Sequence, residues 1–239
     1  YSASALTVTL MTVVYAAAQF LAAPLLGRLS DRYGRRPVLL FSILGSAVGY
    51  ILFGVGGALW ILFLSRVIDG FTGGNISTAN AYIADITPPE LRAKNFGLIG
   101  LAFGLGYILG PAHGGVLSQV SLTAPAFAAA ALSLLSFVVG FFVLEESLPP
   151  ERRTTAPLSR ADANPLAAIA DLFRIPQVGV FLMVQCTFLF AFAGVNSILS
   201  VYLIEKFSAS PTQLPGLFVF AGLATAVVQA GWIGKLTQR

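Results

Sequence analysis

One cysteine, one histidine, two methionines and two tryptophans stand in a chain of 239 residues, of which only 10% are charged. A lone Cys186 cannot close a disulfide within the chain. With one histidine and one thiol, a His/Cys zinc centre is excluded, and so is paired-histidine catalysis. An intramembrane aspartyl enzyme needs two acids in apolar runs, and only Asp69 lies well inside one. The last apolar run has no lysine in its middle, which excludes retinal attachment. Neither an enzyme, nor a metal site, nor a cofactor is therefore expected.

What the chain has in abundance is apolar surface. Apolar residues make up 56% of it, phenylalanine occurs 19 times and the mean hydropathy is +0.83, more than a soluble core of this length can hide. The expected class is an all-α membrane protein. A spanning helix needs about 20 mostly apolar residues, and seven such stretches are found at 5–27, 38–57, 59–84, 96–118, 123–144, 177–204 and 215–234. Twelve of the 14 basic residues then fall on one side, in the segments after spans one, three, five and seven. The positive-inside bias puts that side in the cytoplasm. The net charge of +4 is thus a topology signal spread over separate loops, and no nucleic-acid footprint is expected.

The segment Gly27-Arg28-Leu29-Ser30-Asp31-Arg32 has a counterpart in type at Gly234-Lys235-Leu236-Thr237-Gln238-Arg239. Six spans separate the two copies, so both face the cytoplasm, as a parallel repeat requires. The expected organisation is two six-helix halves. Residues 1–144 form a first half lacking its first helix, 145–176 a cytoplasmic linker and 177–239 the start of the second half. On that count the chain holds helices two to eight of an expected twelve. The linker is rich in proline and charge, and Leu166, Ile169, Leu172 and Phe173 give it one short apolar helical face.

Polar chemistry is concentrated in a few places. The stretch Gly27 to Arg36 combines a small residue at a helix end, one acid (Asp31), arginines 28, 32, 35 and 36, and a turn residue, Gly34. Gly27 permits close helix approach, Asp31 suits a helix N-terminus and the arginines suit acids on the inner face. Arg66 stands about seven residues into its span, roughly 10 Å deep, where an unpaired charge costs at least a few kcal/mol. Asp69, three residues on, is its expected partner. Gly104, Gly106, Gly110, Gly114 and Gly115 form a stripe that would let two backbones touch, with Pro111 as a kink point and His113 beside it. Tyr15, Gln19, Asn75, Thr78, Tyr82, His113, Gln185, Phe188, Phe192 and Asn196 are candidates for a central cavity that binds substrate.

The 27–36 segment resembles the loop signature of the major facilitator superfamily, found after its second and eighth helices. Arg66-Val67-Ile68-Asp69-Gly70 resembles that family's fourth-helix arginine motif. Gly106-Tyr107-Ile108-Leu109-Gly110-Pro111-Ala112-His113-Gly114-Gly115 resembles the fifth-helix motif of drug:proton antiporters. Ala81 to Pro89 with Arg92 is similar to tetracycline-efflux-type members.

The resemblance implies a major facilitator fold that rocks between two states. Gly27, Asp31, Arg32, Gly34, Arg35, Arg36, Asp85 and Arg92 would hold the conformational loop, and the 106–115 glycines would seal one face. Arg66 with Asp69 would couple protons to substrate. The implied activity is export of a small amphiphilic drug in exchange for protons, by a monomer in the plasma (inner) membrane whose partners are substrate, protons and lipid. A proton-coupled uptake symporter or facilitator of the same fold is the alternative. Two departures stand out. His113 occupies a place that is usually apolar, and Val48-Gly49-Tyr50 lacks the acid that tetracycline exporters carry before that tyrosine.

Overall fold

The computed structural model describes residues 5–155 and 165–208, together with Phe220. It is helical, with no strand among the described residues. The helices are α1 (Ala5–Tyr33), α2 (Arg35–Val55), α3 (Leu59–Gly73), α4 (Ile76–Ile86), α5 (Arg92–Leu117), α6 (Ala124–Val143), α7 (Pro165–Phe173) and α8 (Pro176–Phe207). Short 3₁₀ turns sit at Pro89–Leu91 and Pro150–Arg152. Among the described residues, four helices are long and apolar enough to cross a membrane: α1, α2, α6 and the 177–195 part of α8. The expected span 215–234 lies outside the described residues apart from Phe220.

The chain divides into two compact units, one of residues 1–96 and 121–167, the other of 97–120 and 168–239. In the first unit, α2 packs against α3 and α6, and α1 packs against α3. Glycines make these contacts possible, because lipid tails offer helices no hydrophobic drive to associate and close backbone approach supplies dispersion instead. Gly45 and Gly49, four residues apart on α2, receive Thr72 and Asp69 of α3. Gly70 and Gly74 of α3 and the following turn lie against the α1 backbone at Tyr15 and Ala23. A Cβ at Gly54 would stand 3.0 Å from the Phe127 ring of α6.

Two features differ from the expectation. First, α1 runs six residues beyond 27, so the charged segment is mostly helix and its turn is the single residue Gly34. Its φ of 106° is open to glycine, and its N–H still reaches Ser30 O at 3.1 Å. Second, the stretch 59–84 is not one helix. It breaks at Gly74–Asn75, where Gly73-Gly74-Asn75 offers three poor helix formers in a row. The break is held from α1, whose Gln19 Nε2 donates to Gly73 O at 3.0 Å.

Apolar side chains are turned outward along the spanning helices. Phe142 on α6 is 80% exposed and Phe190 on α8 is 84% exposed, the surface of a protein whose solvent is lipid. In the second unit, α8 follows α7 through the Arg174–Ile175 turn, and Gly179 lets α8 lie 3.2 Å from the Phe173 carbonyl.

Candidate functional site

The first polar cluster lies inside the helix packet. Arg66 Nη1 stands 3.4 Å from Asp69 Oδ2, with the two side chains only 17% and 4% exposed. Three-residue spacing on α3 puts both on one face. The guanidinium also lies 4.3 Å over the centroid of Phe53, and its Nη2 is buried without a hydrogen-bond partner. Tyr15 and Tyr50 are within Coulombic range of both charges. Ser46 hydrogen-bonds Asp69, and its hydroxyl stands 3.3 Å from that of Thr72. The expected pair is therefore formed, and α1, α2 and α3 all contribute to its surroundings.

The second cluster lies where the positive-inside bias sets the cytoplasm. Arg35 is its centre, with 11% of its side chain exposed. Its Nη1 pairs with Asp31 at 2.5 Å and donates to Ser30 Oγ at 2.7 Å, while its Nε reaches Asp85 Oδ2 at 3.2 Å. The Arg35 main-chain N–H donates to Glu146 Oε1 at 2.8 Å. Glu146 also pairs with Arg153 at 3.7 Å and fills the space beside Gly34 where a side chain would otherwise project. Ser147 Oγ donates to Asp85 Oδ2 at 3.2 Å, and Thr154 N–H to Asp31 O at 2.9 Å. Asp31, near the end of α1, thus meets Arg35, the first residue of α2.

Around this core, Arg36 Nη2 donates to Phe141 O at 2.6 Å and Arg32 lies 5.7 Å over Tyr33. Arg92 donates to Ala84 O at 3.4 Å, at the end of α4. A Cβ on Gly27 would be 3.7 Å from Ser77 Oγ. Glu146, Ser147 and Arg153 were not among the sequence candidates, because they fall in the stretch assigned to a linker. The signal was present in Glu145-Glu146, two acids just past the end of α6.

The cavity candidates belong to both units. Gln19 braces the helix break, and Tyr15 lies beside Gly70 and Gly73. Asn75 is half-buried in the break. Thr78 is fully buried, so it does not line an open cavity. Tyr82 reaches the backbone of Glu145 and belongs with the second cluster. His113 is exposed and engages Leu109 O on its own helix at 2.8 Å. Gln185 is exposed, and Phe188 stacks on Phe192 with centroids 6.0 Å apart. The side chains of Pro111 and Asn196 lie outside the described residues.

A Cβ at Gly104, Gly106, Gly110 or Gly114 would meet no described atom within 4 Å. A wholly apolar cleft of about 420 Å³ runs between α2 and α3, lined by Phe41, Leu44, Val48, Val67 and Phe71 above Thr72. None of the sequence candidates lines it. Among the described residues, no three acidic, histidine or cysteine side chains come together as a metal ligand set.

The sequence profile of the Major Facilitator Superfamily matches residues 1–239, the whole chain. The chain belongs to the major facilitator superfamily. Among its relatives, the tetracycline resistance protein, class C, of Escherichia coli is 38% identical over 233 residues, covering 96% of this chain and 57% of that protein. Major facilitator superfamily domain-containing protein 10 of Bos taurus is 36% identical over 241 residues, covering 93% and 52%. The crystal structure of the human organic anion transporter MFSD10 (TETRAN) superposes with a TM-score of 0.80 at 30% identity, over 93% of this chain and 55% of that one. The chain spans about half the length of these relatives. This superfamily member is a multi-pass membrane protein with the major facilitator fold.

Proposed function

We propose that the chain is part of a secondary active transporter of the plasma membrane. It exports a small amphiphilic molecule in exchange for protons by alternating access between two six-helix halves, and works as a monomer. The observation that carries the proton coupling is the Arg66–Asp69 pair, two opposite charges held 3.4 Å apart inside a spanning segment. Intramembrane ionisable pairs are expensive, and they mark ion and proton pathways. Proton binding to Asp69 cancels one partner and frees Arg66, which gives the two states the difference in free energy that coupling requires. The resemblance to tetracycline resistance proteins supports a drug-like substrate and outward transport. A second reading, uptake or facilitated transport of an organic anion, is favoured by the likeness to the human organic anion transporter.

Everted membrane vesicles bearing the full-length transporter separate the two. An imposed proton gradient, acid inside, should drive tetracycline into the vesicles, and the Arg66→Ala variant should lose that uptake while remaining in the membrane in normal amount. Undiminished uptake by the variant would remove Arg66 from the coupling. Uptake of an anionic dye such as fluorescein that ignores the gradient would favour the second reading.

A further inference from the structure

The helix α7 is nine residues long, shorter than the roughly 12–15 at which a helix begins to hold together in water without support. It needs a surface to lie on. Ile169, Leu172 and Phe173 fall at three- and four-residue spacing on one side, with Leu166 a turn earlier, and all four side chains are exposed. Asp171 projects from the other side, about 200° around the helix from Ile169 at 3.6 residues per turn. There it pairs with Arg174 at 2.9 Å, and both side chains stand largely in the open.

The junction with α8 sets the level at which α7 lies. A Cβ on Gly179 would stand 3.2 Å from the Phe173 carbonyl oxygen and 3.4 Å from its ring, whereas residues six apart in a straight helix are separated by about 9 Å along the axis. The chain therefore turns a sharp corner at Arg174 and Ile175, and the end of α7 lies level with the first turn of α8. Gly179 falls within the 177–195 part of α8, which is long and apolar enough to cross a membrane. Residues 176–204 carry no charge, and as helix they cover about 43 Å, the thickness of a bilayer with its headgroups. The corner is thus at headgroup level, on the side where the positive-inside bias sets the cytoplasm. Exposed apolar side chains lie on both sides of it, Leu172 and Phe173 before and Ile175, Val180 and Phe181 after.

We propose that α7 is seated in the inner boundary between lipid headgroups and acyl chains, with Ile169, Leu172 and Phe173 in the acyl region and the Asp171–Arg174 pair toward water. Such a seat fixes the depth at which α8 enters the bilayer. The partner is the bilayer itself, and because residues 165–175 carry no net charge, apolar contact rather than attraction to anionic lipid supplies the attachment. The inference rests on the cytoplasmic placement of the linker and is independent of the proton-coupling reading.

Spin labels test this in the full-length transporter, freed of its other cysteines and reconstituted in phosphatidylcholine vesicles. A label on Ile169→Cys or Leu172→Cys should collide more often with oxygen, which gathers among acyl chains, than with a water-soluble nickel chelate, and that ratio should exceed the one for Asp171→Cys severalfold. Adding phosphatidylglycerol should leave it unchanged. Equal ratios at 169 and 171 overturn the seat, because both faces would then be in water. Low collision with either reagent at 169 and 172 also overturns it, because protein would then cover that face. A ratio that rises at 169 only once phosphatidylglycerol is present would show electrostatic attachment, and the apolar seat would be lost. If Ile169→Cys is absent from the membrane, the label at 172 decides.

Discussion

Gly49 sets how close α2 comes to the intramembrane acid. A Cβ built there would stand 2.8 Å from Asp69 Cβ and 3.2 Å from its main-chain nitrogen, and neither atom is the free end of a flexible side chain. The absence of an acid before Tyr50 therefore has a steric counterpart in this fold, since the space such a side chain would need is occupied by Asp69. Gly49→Ala should force α2 from α3 and cost about 1–3 kcal/mol, as overpacking does. The expected outcome is a lower melting temperature in detergent together with weakened proton-driven uptake, because the Ser46–Asp69 contact depends on the same approach. A variant that melts as the parent does would show that α3 yields without penalty.

Among the helices, those defined by long apolar runs were legible from hydropathy, which is the free energy of placing each residue in lipid. Two things were not. The break at Gly74–Asn75 leaves the average hydropathy of 59–84 unchanged, so only local helix propensity marked it, and only tertiary support from Gln19 makes it affordable. The cytoplasmic cluster was legible in its arginines and Asp31 but not in Glu146 or Ser147, since a composition rich in proline and charge reads as a free linker until its partners are known. The Arg66–Asp69 pair was legible because three-residue spacing is a local property of a helix.

The turn between α1 and α2 gives a test at this scale. Gly34 has φ 106° and Glu146 lies where its side chain would be. Gly34→Ala should cost about 1–3 kcal/mol in backbone strain, displace Glu146 and raise the rate of tryptic cleavage after Arg32 or Arg35. Unchanged cleavage and melting would mean that the turn relaxes to another conformation.

For the molecule as a whole, the distribution of basic residues implies one orientation, with the Arg35 cluster in the cytoplasm and the α5–α6 turn at residues 118–123 outside. The single cysteine makes this simple to check. In a Cys186→Ser background, Arg32→Cys should react with a membrane-impermeant maleimide only in everted vesicles, and Ser121→Cys only in intact cells. Labelling of both from the same side would contradict the arrangement. The inner cluster also carries information about assembly, because Arg35 meets Asp85 across 50 residues and Glu146 across 111. A ribosome feeding this chain into the bilayer must therefore deliver α2 through α6 before that clasp can close. Until then the described partners within reach of Arg35 are Asp31 and Ser30, so the positive-inside bias predicts that these arginines anchor the nascent hairpin during synthesis.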